Sequence, residues 1–317
     1  MFLIGVENQL GYGVTLLVGG LLALGLCWIR CEKVKIRRGK ILAATILLPL
    51  ITAFFAHLLY CLVNFQDTAE DQSVGYFFAF WENGSMFYGG VLGAVTGLLV
   101  LGGKDRLAML EQYAPGGALI IAAARIGEGF LGQGYGDYAT GLPLFNFFPF
   151  RLYDPYYDEW AQALFVLEAL IALALFVWLL KKKTGRPGDG ALLLLGLYAS
   201  AQIVLESLRR DEFLRWGFVR TEEVASAAAV LIVLICYAVW VGGGKRLIKA
   251  LCFGTYMLMI VLCLLLEFAT EGRIPFLEFL SVDACYLVMA GACAVLGGCV
   301  LWMRRLANTR YSAERVM

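Results

Sequence analysis

The chain has 317 residues, of which 61% are hydrophobic and 16% charged, with a formal net charge of +1. Soluble domains are about 45–50% apolar and about 25% charged, so this composition excludes a soluble monomer and a disordered chain. The near-zero charge excludes a nucleic-acid binder, and what remains is an integral membrane protein.

The first residues, Met1 to Val14, lack a basic leader region and a cleavage site, so the first apolar segment is expected to stay in place. A bilayer-crossing helix needs roughly 20 mostly apolar residues. Nine segments meet or approach that length: about 10–29, 41–63, 86–103, 114–132, 160–180, 191–208, 223–242, 250–268 and 281–303. The expected fold is therefore all-α, a polytopic integral membrane protein of about nine transmembrane helices.

Short loops rich in Lys and Arg mark the cytoplasmic side. Basic residues cluster after the first span (Arg30 to Lys40), the third (Lys104, Arg106), the fifth (Lys181 to Arg186), the seventh (Lys245 to Lys249) and the ninth (Arg304 to Arg315). This alternation predicts the N-terminus outside and the C-terminus cytoplasmic. One connection, 209–222, breaks the pattern with Arg209, Arg210, Arg215 and Arg220. It reads either as a solvated charged loop or as arginines that meet lipid phosphate, for which the guanidinium fork is suited. The connection 133–159 is rich in aromatics and poor in charge until its end, which suits an outer membrane surface.

The nine Cys form no CxxC pair and lie almost entirely in apolar stretches, so they read as small buried hydrophobes. No His, Cys, Asp or Glu cluster has metal-ligand spacing, and neither a metal nor a cofactor is expected.

Ionisable groups at membrane depth are costly and mark sites by default. The predicted orientation places Tyr12 of span one, His57 of span two, Tyr88, Gly89 and Gly90 of span three, Arg125 and Glu128 of span four, and Gln202 and Glu206 of span six at one outer level. Taken singly, each has a packing explanation: Arg125 and Glu128 as a buried ion pair, His57 as a satisfied core histidine, the tyrosines as interfacial aromatics. Packing alone does not require their convergence. Glu168 in span five stands apart and reads as structural. Gly89, Gly93 and Gly97 line one helix face and favour close helix packing. The run Gly127-Glu128-Gly129-Phe130-Leu131-Gly132 matches GxGxxG, but the nucleotide fingerprint needs a preceding strand, and here it closes a membrane helix.

These residues carry a resemblance. Phe80-Trp81-Glu82-Asn83-Gly84-Ser85-Met86-Phe87-Tyr88-Gly89-Gly90 resembles the W-x-G-G-x-x-[FW]-[HY]-G-G segment of the prolipoprotein diacylglyceryl transferase family. Arg125-Ile126-Gly127-Glu128-Gly129-Phe130-Leu131-Gly132-Gln133-Gly134-Tyr135-Gly136 resembles that family's R-[IL]-G-N-F-x-N-G-E-x-x-G signature. Tyr12-Gly13, Ala56-His57-Leu58-Leu59-Tyr60 and Gln202 through Arg209 resemble its Tyr-Gly, G-R-x-x-Y and R-F-x-x-E-x-x-R segments, in family order over roughly residues 10–242. At the changed positions, Glu128 stands for Asn, Gln133 for Glu, and Gln202 and His57 for Arg. Tyr88 stands for a His that many members carry, and Gln162 resembles a remnant of H-P-S-Q-L-Y-E.

The resemblance implies a transferase of a bacterial plasma (inner) membrane. It would take a diacylglyceryl group from phosphatidylglycerol, or another anionic phospholipid, to the lipobox cysteine thiol of a prolipoprotein signal peptide. It implies Tyr12, Arg125, Glu128 and Glu206 as catalytic, and His57, Tyr88, Gly89, Gly90, Gln133, Gly136, Gln202 and Arg209 as lipid-binding. Residues 1–245 would form the transferase-like domain and 246–317 an extension of about two spans. The alternative is a phospholipid-binding relative without transferase activity. A transporter is disfavoured, since no inverted repeat or matched pair of broken helices is visible.

Overall fold

A computed structural model describes residues 7–34, 36–65, 68, 73–82, 84–138, 146–182, 185–210, 214–216, 219–274, 277 and 279–314. Among them the long helices are α1 (Gln9–Val34), α2 (Arg38–Val63), α3 (Phe87–Gly102), α4 (Arg106–Phe130), α5 (Leu164–Lys181), α6 (Asp189–Leu208), α7 (Thr221–Val241), α8 (Arg246–Thr270) and α9 (Val282–Glu314). Each apolar segment expected from the sequence is helical. Among the described residues eight stretches are long and apolar enough to cross a membrane, with Phe87–Phe130 counting as one stretch of 44 residues. The reason is that α3 alone has 16 residues, short of the roughly 20 that a span needs. Large apolar side chains such as Leu17, Leu21, Ile46, Leu50, Met257 and Leu258 are exposed on the helices, as a lipid-facing surface requires.

The connection expected as a surface segment is partly a sheet. Strands β1 (Tyr135–Tyr138), β2 (Arg151–Asp154) and β3 (Glu159–Ala163) pair antiparallel in the order β1-β3-β2. The fifth span accordingly starts at Leu164, four residues beyond the expected start at 160, because Glu159–Ala163 pairs with its neighbours. Two-residue strands β4 (Arg215–Trp216) and β5 (Val219–Arg220) form a hairpin before α7.

The chain falls into two compact units, one of Met1–Ala23, Pro115–Arg186 and Leu192–Met317, the other of Leu24–Ala114 and Pro187–Ala191. In the first, α1 and α4 touch through small residues. A Cβ on Gly19 would lie 2.4 Å from Ala123 Cβ, and one on Gly127 would lie 2.6 Å from Tyr12 Cδ2. In the second, α2 and α3 approach in the same way, with a Cβ on Gly89 falling 2.5 Å from the Phe55 carbonyl oxygen and one on Gly93 falling 2.8 Å from that of Ile51. Without side chains at these points the backbones pack closely, which is how helices associate where lipid removes the hydrophobic drive.

Candidate functional site

The first unit gathers a buried ionic cluster from α4, α5, α6, β5 and the residue after α6. Arg125 is its hub. Its Nε donates to Tyr198 Oη at 2.9 Å and lies 3.1 Å from Glu168 Oε2, and its Nη1 donates to Glu128 Oε1 at 2.7 Å. Its Nη2 lies 3.7 Å from Glu206 Oε1 and donates to the Gln202 side-chain oxygen. In that orientation the Gln202 amide nitrogen donates to Glu168 Oε1 at 3.2 Å.

Arg209 Nη1 sits 3.0 Å from Glu128 Oε2, 3.5 Å from Glu168 Oε2 and 3.6 Å from Glu206 Oε1. Arg220 Nε donates to Glu206 Oε2 at 3.0 Å. Helical spacing explains two of these contacts, since Arg125 with Glu128 and Glu206 with Arg209 are i,i+3 pairs on one face. The rest depend on tertiary placement.

The charges are paired with one another and mostly buried. Arg125, Glu168, Glu206, Arg209 and Arg220 are all buried. Glu128 is the exception, with 19% of its side chain exposed. Isolated charges cannot be held in such surroundings, and removing one partner of a buried pair typically costs about 3–5 kcal/mol.

Around the cluster, the Tyr12 ring packs against Gly127, and its phenol lies within electrostatic reach of Glu128 and Arg125. Gly134 holds φ +74° behind Glu128, and an added Cβ would stand 2.8 Å from Phe165 Cβ, so glycine is required there. A Cβ on Gly136 would meet Gln162 Oε1 at 3.0 Å, which brings the signature glycine and the Gln162 remnant together. Arg210 closes the periphery, with Nε donating to Asp137 Oδ1 at 2.5 Å and Nη2 donating to Tyr286 Oη of α9 at 3.0 Å. The Asp137 hydrogen bond holds the Arg210 guanidinium above its ordinary value. From α8, Glu267 Oε1 accepts from Ser207 Oγ at 3.4 Å. Both C-terminal helices therefore touch the end of α6.

Several expectations shift. Glu168 does not stand apart: it is fully buried between Arg125 and Arg209. Its signal was present in the sequence, as a carboxylate within an apolar span demands a partner. Arg209 and Arg220 turn inward to carboxylates, leaving Arg215 exposed. Gln133 is exposed, and only its backbone N–H returns to the helix, donating to the Glu128 carbonyl at 3.0 Å. Tyr198, one turn before Gln202, carried no sequence signal. The GxGxxG run closes α4 with no preceding strand among the described residues.

His57, Tyr88, Gly89 and Gly90 belong to the second unit. His57 is buried, with Nδ1 2.9 Å from the Gly84 carbonyl oxygen, Nε2 2.8 Å from that of Tyr76, and Cys61 Sγ 3.4 Å from Nε2. It thereby ties α2 to the segment leading into α3. Gly89 is a packing contact, whereas a Cβ on Gly90 would find its nearest neighbour at 3.9 Å.

A cavity of about 300 Å³ lies away from the cluster, lined by Val241, Gly244, Lys245, Leu306, Thr309 and Arg310. No carboxylate or thiol is among these lining residues.

A helical membrane protein with a buried Arg–Glu cluster built from α4, α5, α6, the residue after α6 and β5 is the class that fold and site define. The sequence profile of the prolipoprotein diacylglyceryl transferase family matches residues 2–240. The chain belongs to that family, with α8 and α9 beyond the matched stretch. A phosphatidylglycerol–prolipoprotein diacylglyceryl transferase of Shewanella sp. (strain MR-4) is 27% identical over 162 residues, 49% of this chain and 59% of the relative. The protein of the same name from Legionella pneumophila (strain Corby) is 29% identical over 176 residues, 53% of this chain and 66% of the relative. The one from Neisseria meningitidis serogroup C (strain 053442) is 30% identical over 162 residues, 43% of this chain and 57% of the relative. The chain thus spans about three-fifths of the length of the first of these relatives (59%).

Proposed function

We propose that this chain transfers a diacylglyceryl group from a membrane glycerophospholipid to the cysteine thiol of a prolipoprotein signal peptide, in the inner membrane of a bacterium. The observation that carries the reading is the buried cluster: Arg125, Glu206 and Arg209, which keep the residues of the family motifs, and Glu128 and Gln202, which stand at altered motif positions, converge on one another and on Glu168. Phosphatidylglycerol is the donor in the relatives' names.

The step balances as a substitution at carbon. The sulfur lone pair attacks the glyceryl carbon that bears the phosphate. That C–O bond breaks and its electron pair leaves on the phosphate oxygen, while the thiol proton passes to a carboxylate of the cluster. A C–S thioether forms and a phosphate monoester, glycerol phosphate for phosphatidylglycerol, is released. Guanidiniums that meet the phosphate stabilise the charge gathering on the leaving oxygen, and Arg125 and Arg209 are the groups proposed for this. The residues assigned to the lipid, His57, Tyr88, Gly89, Gly90, Gln133 and Gly136 among them, enter as proposals of the same reading.

The test is transfer in proteoliposomes that contain the full chain, phosphatidylglycerol or phosphatidylethanolamine, and a lipobox peptide, with the thioether read by mass spectrometry. A product that disappears with Cys→Ser in the peptide supports transfer. Absence of product with either lipid, from well-folded protein, overturns it. A second reading, phospholipid binding without transfer, is favoured by one observation: every guanidinium of the cluster is already matched by a carboxylate.

A further inference from the structure

Helices α8 and α9 lie beyond the stretch that the family profile matches, yet they pack on the element that carries two cluster residues. Along α6 the approach is close. A Cβ on Gly196 would stand 2.9 Å from both Val233 Cγ1 of α7 and Val300 Cγ1 of α9, and one on Gly297 of α9 would stand 3.5 Å from Leu197 Cδ2. Helix α6 is thereby seated between α7 and α9.

At the end of α6 the contacts become polar and alternate. Glu206 and Arg209, an i,i+3 pair, reach the ionic cluster. Ser207 and Arg210, the next residues along with the same spacing, reach the two added helices. Ser207 Oγ donates to Glu267 Oε1 of α8 at 3.4 Å, and Arg210 Nη2 donates to Tyr286 Oη of α9 at 3.0 Å. On its other side Arg210 is held by β1, where its backbone N–H donates to the Tyr135 carbonyl at 2.9 Å and its Nη2 to Asp137 Oδ2 at 3.2 Å.

The two anchors are themselves fixed. Tyr286 is buried. Glu267 is buried too, and it hydrogen-bonds the buried Glu223 of α7, carboxyl to carboxyl. Such a bond needs a proton on one partner, since an ionised carboxylate only accepts. Side chains that meet a partner within a narrow geometry need their own support locked by surrounding hydrogen bonds. Ser207 and Arg210 provide that support for the residues directly before them. Without Glu267 and Tyr286 the end of α6 can turn, and Glu206 and Arg209 turn with it.

We propose that Glu267 and Tyr286 are positioning residues: the two C-terminal helices fix the end of α6 and so aim Glu206 at Arg125 and Arg209 at Glu128, which makes α8 and α9 part of the transferase machinery. The effect on rate rests on the proposed transfer, whereas the fixing of α6 does not.

The experiment compares the full wild-type chain with Glu267→Leu/Tyr286→Phe, which removes both contacts, and with Glu267→Gln, which can still accept from Ser207 and donate to Glu223. Amide hydrogen exchange in detergent, read by mass spectrometry on peptides containing Arg209 and Arg210, should speed up about 10-fold in the double variant, as expected when a hydrogen bond to a charged group no longer opposes local opening. It should stay at the wild-type rate in Glu267→Gln, and peptides of α4 should not change in either. In proteoliposomes with phosphatidylglycerol and a lipobox peptide, thioether formation should slow about 100-fold in the double variant, the cost of displacing a reacting group by about 1 Å. The KM for the peptide should hold, and Glu267→Gln should recover the rate. Unchanged exchange in the double variant, faster exchange with an undiminished rate, or an equal loss in Glu267→Gln overturns the proposal and leaves transfer standing. Absence of product from wild type overturns the transfer reading and the effect on rate with it, and exchange alone then decides whether the two helices fix α6. If the double variant does not fold, judged by helical content and a monodisperse elution profile, Tyr286→Phe, which loses one hydroxyl group, decides by the same two measurements.

Discussion

Arg220, the last residue of a two-residue strand, donates its Nε hydrogen to Glu206 Oε2 on α6 at 3.0 Å. Glu206 also faces Arg125 and Arg209 with its other oxygen, at 3.7 and 3.6 Å. One carboxylate thus links three guanidiniums from three places in the chain. The hairpin before α7 is therefore part of the site's wall.

The first prediction follows from that link. Arg220→Ala leaves Glu206 with one oxygen unpaired in a buried setting, so the folded protein should lose about 3–5 kcal/mol and its thermal unfolding in detergent should move down. Arg220→Lys restores the charge but not the guanidinium's directional donors, and should recover part of the loss. An unfolding temperature unchanged in Arg220→Ala would show that the contact contributes nothing.

Arg125 faces Glu128, Glu168 and Glu206 together. Arg125→Gln should therefore destabilise by a similar amount, and adding Glu128→Gln should restore only part of it, because Glu168 loses its 3.1 Å partner and keeps only Arg209 at 3.5 Å. Full rescue in the double variant, measured by the same thermal unfolding, would reduce Arg125 to the partner of Glu128 alone.

Gly89 and Gly90 are neighbours in sequence with opposite surroundings. Gly89→Ala drives a methyl against the Phe55 carbonyl and the Ala56 Cα at 2.5 and 2.7 Å, and neither backbone atom can turn aside. Overpacking of this kind costs typically about 1–3 kcal/mol. Gly90→Ala should be neutral for stability. Lower folded yield and unfolding temperature for Gly89→Ala alone is the expected result, and equal behaviour of the two would contradict the packing role.

Topology is open to direct measurement. In a functional background lacking its natural Cys, thiols introduced at Ser281 should react with an impermeant maleimide on intact cells, and thiols at Lys182 and Arg310 should not. The basis is the alternation of Lys and Arg between connections. Labelling at Lys182 from outside would invert the orientation.

The helices were legible because bilayer thickness imposes a length, and hydropathy reports it without help from tertiary contacts. The meeting of Arg125, Glu128, Gln202 and Glu206 was legible as well, because motif order and depth both pointed to it. Glu168 was misjudged for want of a visible partner, since its contacts come from α4, α6 and the residue after α6, and no local spacing reveals them. Arg209 and Arg220 read either as solvated or as meeting lipid phosphate, whereas in the structure they are buried against carboxylates, of which only Glu206 lies close to them in sequence. The sheet at 135–163 was missed because strands of four, four and five residues are too short to show an alternating pattern. Their existence depends on pairing, which sequence periodicity does not encode.

The i,i+3 spacing of Arg125 and Glu128 also bears on how the protein is made. When α4 leaves the ribosome, α5, α6 and the hairpin that complete the cluster have not been synthesised. An arginine at the centre of a span opposes insertion by about 2.5–3.5 kcal/mol on translocon scales, and Arg125, nearer the end of α4, carries a part of that cost. A carboxylate one turn away travels with it as a self-neutralising escort, so the helix can enter lipid before its later partners arrive. Glycosylation mapping of chains truncated after Gly136 should find α4 inserted in wild type and left behind in Glu128→Ala, with insertion regained when Arg125 is removed as well.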